Sequence, residues 1–363
     1  MTSPRRLEPD ALERAFHLAR EQVADGTVPF AILAVANADG LVRAEAFAGP
    51  QAPGIGLDTI CLLASITKPV VATAIIQLVA EGRVTLDDGI DRFVPELIAP
   101  GATPITIWHL LTHTSGLPDF DLEELLATRT DRRELLRRAA TAEPRFAPGS
   151  RYEYVSSSFE LLAAVIKRIR GEPLEAALRR TILGPLGMAD TTFAPSGRRL
   201  LRVAPLAAAT GPEPTAAWVP RRWSLGEARY FAGLALAGAG LFAPAGDLVR
   251  FGRAMLRGGE LDGARILPPA YVELMTREQT VGGLAAAADP PASEHYALGW
   301  GKPDPRTSPA SPAAFGHGGA TRTRLWVDPE HDLVVVHLSG VLGIPHRPLD
   351  AVLATIYAAL RVG

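Results

Sequence analysis

Apolar and polar positions divide the chain into an early strand pair, a long helical middle and a late set of strands. Leu12, Phe16, Ala19 and Val23 recur at helical spacing among charged residues and predict an amphipathic N-terminal helix. Residues 29–37 (PFAILAVAN) are a mostly apolar run of strand length, and residues 41–47 are a second. The Asp39-Gly40 pair between them predicts a hairpin. Residues 59–82 (TICLLASITKPVVATAIIQLVAEG) form an apolar run with helical character, which Gly82 ends where left-handed geometry is cheap.

From 84 to 200 the pattern is mostly helical. Residues 105–111 lead into a turn (THTSGLPDF), and 122–142 read as one charged amphipathic helix. Residues 159–170 form another helix, closed by Gly171, and 174–183 continue in helical pattern up to Gly184-Pro185. Residues 200–229, rich in alanine, proline and arginine, read as a long loop, and 285–293 as a shorter one. Helices over 248–256 and 268–277 follow, then strands at 314–319, 325–327 and 333–339, and a closing helix at 349–361. Strands at both ends with helices between predict a mixed α/β (α+β) chain. Residues 1–83 and 201–363 make a discontinuous sheet domain, residues 84–200 an inserted helical domain, and the active site lies at their interface.

Composition narrows the classes. With 47% apolar and 21% charged residues over 363 positions, the chain is globular and has ample material for a core. A net charge of −2 offers no electrostatic case for nucleic acid or an acidic membrane surface. The single cysteine, Cys61, excludes an intramolecular disulfide and a multi-cysteine metal site, and its apolar surroundings predict buried packing. Arg5 and Arg6 have no apolar segment behind them, and no run approaches the roughly 20 apolar residues that span a bilayer. The expectation is a soluble cytoplasmic protein.

Candidate chemistry centres on Ser65-Ile66-Thr67-Lys68. Positions i and i+3 share a helix face, so hydroxyl and amine can meet. Serine needs a neighbouring base to become a nucleophile, and lysine serves if burial lowers its pKa. The chain has only three lysines, Lys68, Lys167 and Lys302, and writes arginine elsewhere. Arginine cannot give up its proton, so a lysine at 68 points to an amine that must. Pro69 disfavours helical geometry at Lys68, a tension relieved if the pair sits in a first turn. His109 and His113 lack an intervening glutamate and read as structural, with the His113-Gly116 turn at the site rim. No G-x-S-x-G elbow and no nucleotide-binding glycine motif occurs, and no metal or cofactor is expected.

Three stretches together carry a family resemblance: LLASITKP at 62–69, PGSRYEYVSSSFELL at 148–162 and FGHGGATRTRLWVDPEHDLVVV at 315–336. With LLTHTSGLPDF at 110–120, LGPLGMADTTF at 183–193 and GAGLFAPAGDLVRFGRAML at 238–256, they make the chain resemble the serine β-lactamase-like family. That family includes class C β-lactamases, D-Ala-D-Ala carboxypeptidases, D-aminopeptidases, β-lactamase-fold esterases and some acyltransferases. The resemblance implies a β-lactamase/transpeptidase-like fold, an antiparallel sheet flanked by helices with an inserted, mostly helical domain. It implies Ser65 as acylated nucleophile, Lys68 as the group that keeps it reactive, and Tyr154 as partner base, poised as phenolate or hydrogen-bond relay if cations lower its pKa. Residue chemistry alone leaves Tyr152 and Tyr154 open, and the register after Pro148-Gly149 favours Tyr154. The resemblance also implies an oxyanion hole from the backbone N–H groups of Ser65 and Ala320, and substrate contacts from Ser156, His317, Gly318 and Gly319.

The departures carry weight. Ser156 replaces the family's asparagine, His317 replaces the lysine of its Lys-Thr-Gly triad, and Arg322, a bulky cation where small residues are usual, is a candidate for substrate binding or for local packing. These changes weaken recognition of amides and carboxylates and lean toward esters. Trp218, Trp223, Tyr230 and Trp300 are candidate aromatic walls. The reading is a carboxylesterase acting through an acyl-enzyme at Ser65 on a small-molecule ester or acyl substrate. An acyltransferase comes next, then a β-lactamase or D-amino-acid peptidase. The non-enzyme reading is a degenerate protein that binds an acyl ligand, and oligomeric state is open.

Overall fold

Strand β1 (Phe30–Ala36) is buried along its whole length, and the main sheet forms around it. Alternate residues of a strand face opposite sides, and here both sides are covered. Phe30, Ile32, Ala34 and Ala36 join one core with Val334, Val336 and Leu338. Ala31, Leu33 and Val35 join another with Leu12, Phe16, Val352 and Ile356. Double coverage explains why the segment reads as a continuous apolar run and not as an alternation.

The computed structural model describes residues 12–95, 104–209, 218–221, 225–280, 285–286, 295–342 and 347–360. β2 (Leu41–Ala48) pairs with β1 through the predicted hairpin. On the other side of β1 come the late strands β3 (Phe315–Gly319), β4 (Thr323–Asp328) and β5 (Leu333–Leu338). The order is β3-β4-β5-β1-β2, antiparallel throughout, with Ile32 opposite Leu338 and Ala36 opposite Val334.

Helices α1 (Glu13–Ala24) and α5 (Arg347–Ala359) lie on one face of the sheet. α2 (Thr67–Ala80), α3 (Ser158–Arg170) and α4 (Ala245–Leu256) belong to the opposite side. α4 packs directly on the sheet, where a Cβ on Gly252 would come within 2.6 Å of Val334. α2 is buried from Thr67 to Leu78, which explains why its sequence is apolar all round. Gly82 and Gly171 take φ values of 67° and 71° after α2 and α3, the left-handed stops that the sequence predicts.

The predicted helix over 122–142 is two helices, Leu122–Thr128 and Arg132–Thr141. Arg129 turns the chain at φ 51°, and the Asp131 side chain caps the second helix by accepting from the Glu134 N–H. Charge periodicity runs through both, so the pattern hides the break. The predicted loop over 200–229 contains Leu206–Ala209 paired with Trp218–Arg221, then a helix at Leu225–Leu234. Neither strand alternates apolar with polar residues, so periodicity misses them. Residues 210–217 and 222–224 lie outside the described residues, as does most of the predicted 285–293 loop. Over 174–183 an α-helical start, Leu174–Leu178, widens into a π turn at Arg179–Leu183. Among the described residues no helix is long and apolar enough to cross a membrane.

Candidate active site

The segment that bears Ser65 is held from two sides. Cys61–Leu62 is a short strand, Ala64–Ile66 a 3₁₀ turn, and α2 follows directly. Ala64 sits at φ 48°, a conformation that a non-glycine residue keeps only where its surroundings fix it. Those surroundings are the β3–β4 hairpin. The Thr321 hydroxyl donates to the Leu62 carbonyl at 2.7 Å, and the Thr323 hydroxyl to the Leu63 carbonyl at 2.8 Å. From the other side, Thr67 Oγ1 donates to the Ala64 carbonyl at 2.7 Å and accepts the Leu241 N–H at 3.0 Å. Gly319 makes the close approach possible, because a Cβ there would lie 2.3 Å from the Leu63 carbonyl oxygen. Pro69 falls in the first turn of α2, where its missing N–H has no intrahelical acceptor to lose.

Lys68 is fully buried, and its amine meets three oxygens. Nζ lies 3.2 Å from Ser65 Oγ, 3.1 Å from Ser156 Oγ and 2.9 Å from the Gly238 carbonyl oxygen. Burial lowers its pKa to about 7, against the opposing pull of Asp119 and Glu160. A neutral amine has two N–H donors and one lone pair. The Gly238 carbonyl can only accept, and Ser156 Oγ can accept the second proton. The lone pair then remains for the Ser65 hydroxyl proton, the requirement for a base beside a nucleophile.

Tyr154 is placed by its backbone neighbours. The Glu153 N–H donates to the His113 carbonyl at 2.9 Å, and the Val155 N–H to His113 Nδ1 at 3.1 Å. Asp119 Oδ1 accepts the N–H groups of Ser156 and Ser157 at 2.9 and 3.0 Å, where α3 begins. His113, at φ 58° and fully buried, thus supports the segment as the structural reading expects, and its ring lies 4.3 Å from that of Tyr154. Burial drives the His113 pKa well down, with Lys68 adding to the effect, so the ring is neutral.

One expectation fails at Tyr154. Burial pushes its pKa up, and only its interaction with the Ser65 hydroxyl pulls the other way. Lys68 Nζ sits over the ring face, 4.7 Å from its centroid, and makes no hydrogen bond to the hydroxyl. The group is therefore a neutral phenol beside Ser65, suited to relay or donate a proton and not poised as a phenolate. Tyr152, the alternative, is buried in the same aromatic cluster, with its ring against those of His113 and Tyr296; neither tyrosine lines the cavity, and Tyr154 is the one that interacts with Ser65.

Ser65 opens onto a cavity of about 180 Å³. Its polar lining includes Ser65, Ser156, Asp119 and Glu160, and Ala320 lies on the same wall. The remainder is apolar: Leu62, Phe120, Leu125, Phe231, Leu236 and Leu342. None of the lining residues is lysine, arginine or histidine. Of the proposed aromatic walls, Trp300 and Tyr230 are not among the lining residues, and the side chain of Trp218 lies outside the described residues. Trp300 is fully buried and stacks on Phe251, Tyr230 spends its hydroxyl on the Leu125 and Thr130 carbonyls, and Trp223 lies outside the described residues.

The third predicted stretch splits. Ala320 and Thr321 line the cavity, whereas His317, Gly318 and Gly319 form the adjoining edge strand. His317 is buried and tied by Nδ1 to the Gly318 carbonyl at 2.7 Å and by Nε2 to Tyr296 Oη at 3.0 Å. Arg322 is the hairpin turn at φ 56° and is not among the lining residues. Its carbonyl accepts both the N–H and the hydroxyl of Ser339, and burial lowers its guanidinium to about 10. Asp119, Glu160, Gly238 and Tyr296 are the site residues that pattern reading passes over. Glu160 alone carried a signal, an acid inside the apolar run SSSFELL. Among the described residues no group of histidine, cysteine and acidic side chains could hold a metal ion.

Comparison with known proteins agrees with this geometry. The sequence matches the Beta-lactamase family over residues 16–358. Esterase EstB of Burkholderia gladioli is 42% identical over 153 residues, which cover 38% of this chain and 39% of that protein. The D-alanyl-D-alanine-carboxypeptidase/endopeptidase AmpH of Escherichia coli (strain K12) is 32% identical over 179 residues, covering 45% and 46%. The matched stretch thus spans under half the length of either relative. Among solved structures, EstCE1, a hydrolase with promiscuous acyltransferase activity, superposes with a TM-score of 0.80 at 22% identity over 96% of this chain and 99% of that one.

Proposed function

The chain belongs to the Beta-lactamase family of serine hydrolases, and from that premise we propose that it is a carboxylesterase working through an acyl-enzyme at Ser65. The observation that carries the reading is the buried Lys68 amine, 3.2 Å from the Oγ of Ser65, which lines a largely apolar cavity. Lys68 takes the Ser65 proton as Oγ attacks the ester carbonyl. The backbone N–H groups of Ser65 and Ala320 face the developing oxyanion, a contribution worth roughly 3–4 kcal/mol for each donor. Tyr154, a neutral phenol beside Ser65, gives its proton to the leaving alkoxide; in deacylation its oxygen takes a proton from the attacking water, and Lys68 returns its proton to Ser65 Oγ as the acid leaves.

The lining favours uncharged acyl chains. Among the described residues it includes two acids, Asp119 and Glu160, and no cation to hold a substrate carboxylate. His317 in the family's lysine position already bonds to Tyr296 and Gly318, which further disfavours carboxylate-bearing β-lactams. Turnover of p-nitrophenyl butyrate, with a chromogenic cephalosporin alongside, tests the proposal. The expected result is ester cleavage that disappears in Ser65→Ala, with little cephalosporin opened. Equal ester turnover by wild type and Ser65→Ala would remove Ser65 from the mechanism.

A further inference from the structure

A carboxylate on the buried face of an apolar helix is costly, and a leucine would fill the space more cheaply. Glu160 is such a group: it lies on α3, is 5% exposed, and lines the cavity beside Ser65. Its Oε1 accepts the Ala237 N–H at 2.7 Å, and the Gly238 N–H also bonds to the carboxylate. These two amides belong to a tight turn in which Ala235 takes φ 45° and the Gly240 N–H returns to the Leu236 carbonyl at 2.7 Å. The same turn sends the Gly238 carbonyl to Lys68 Nζ at 2.9 Å, the shortest of the three contacts of the amine. Gly238 is packed so closely that a Cβ would lie 2.9 Å from the Ser156 carbonyl oxygen and 3.5 Å from Lys68 Nζ.

We propose that Glu160 is a positioning residue: it clamps the 235–240 turn, and the Gly238 carbonyl in turn holds the Lys68 amine against Ser65. The inference rests on the reading of Ser65 as nucleophile and deepens it. Without the clamp, two buried N–H groups lose their acceptor and the turn can relax away from Lys68. The carboxylate has a second, electrostatic effect, because its negative charge favours the protonated form of Lys68. The charged groups facing Lys68 are Asp119 and Glu160, and beside it lie the neutral rings of Tyr154, Phe159 and His113. Glu160 itself is faced by Lys68 and by Arg132 of the neighbouring helix. It titrates at about 7, raised mainly by burial. The two groups therefore titrate as a pair in the working pH range.

The test is the pH dependence of kcat and kcat/KM for p-nitrophenyl butyrate in wild type, Ser65→Ala, Glu160→Gln, Glu160→Leu and Gly238→Ala. Glutamine keeps an oxygen for the two amides and removes the charge. It is expected to retain more of kcat than Glu160→Leu does, while the acid limb of kcat/KM moves to lower pH. Leucine removes the acceptor, with kcat expected to fall roughly 10- to 100-fold, the scale of a misplaced catalytic group. Gly238→Ala crowds the amine without touching Glu160 and is expected to lower kcat as well. A purely structural role for Glu160 predicts a lower melting temperature in Glu160→Leu and no movement of the acid limb in Glu160→Gln. The proposal is overturned by a Glu160→Gln profile that superimposes on wild type, or by wild-type kcat in a folded Glu160→Leu. If Glu160→Leu does not fold, the Glu160→Gln profile and the Gly238→Ala kcat decide. Failure of the nucleophile assignment is separate: there, wild type and Ser65→Ala turn over substrate alike.

Discussion

The two ends of the cavity are built on opposite terms. At one end Ser65, Lys68, Ser156 and the Gly238 carbonyl meet within 3.2 Å of a single nitrogen, and each is held by a further contact behind it. At the other, Leu62, Leu125, Phe231 and Leu236 meet as one apolar cluster with no directional bond among their side chains. A hydrogen-bonded cluster tolerates little displacement, since each lost partner leaves a buried polar group unpaired. An apolar wall responds to changes of volume by degrees. The polar end is therefore suited to fix what the protein does, and the apolar end to adjust what it acts on.

Substitutions can break or sharpen that contrast. The largest effect belongs to Ser65→Ala, which is expected to lower p-nitrophenyl butyrate turnover roughly 10³-fold or more, read from initial rates. Lys68→Arg keeps a cation but removes a base, and a loss of about 10²- to 10⁴-fold is expected. In wild type the same chemistry gives a pH signature. Lys68 is neutral above about 7, so kcat/KM should fall as pH drops through that value. A pH-independent rate between 5 and 9 would remove Lys68 as the base.

Tyr154→Phe should follow, at about 10²-fold in kcat, whereas Tyr152→Phe should leave kcat unchanged. Equal losses in the two would dissolve the distinction drawn between them. The smallest effect lies at the apolar end. Phe231→Ala enlarges the wall and should shift preference toward longer p-nitrophenyl acyl chains by about 10-fold, seen in the ratio of kcat/KM values. A loss of turnover across all chain lengths would show that the two ends are not separable.

The legibility of the sequence follows the same division. Ser65 and Lys68 stand out because chemistry and scarcity coincide at 68, and the strands at 30–36 and 333–338 because two-sided burial writes unbroken apolar runs. Glu160 stands out only as an acid inside an apolar run, and Gly238 not at all. Their roles arise where α3 meets the 235–240 turn, and no local pattern encodes that meeting. Arg129 hides a helix break because its φ of 51° leaves the charge periodicity intact on both sides. Thr321 and Thr323 carry no local pattern that names a partner, yet their hydroxyls fasten the hairpin to the Ser65 segment. A side chain whose partner is distant in sequence leaves no periodicity to read.

The central place of β1 also bears on how the chain matures during synthesis. Phe30–Ala36 emerges early, but the strand that covers its other edge, Leu333–Leu338, is among the last to be made. Until then β1 has only β2 beside it and one open edge, and such an edge invites pairing with other chains. Contacts so distant in sequence form slowly. The hairpin that pins Ser65 arrives in the same late stretch. A growing chain thus carries its nucleophile long before it can use it, and hydrolytic competence and protection from aggregation should be gained together.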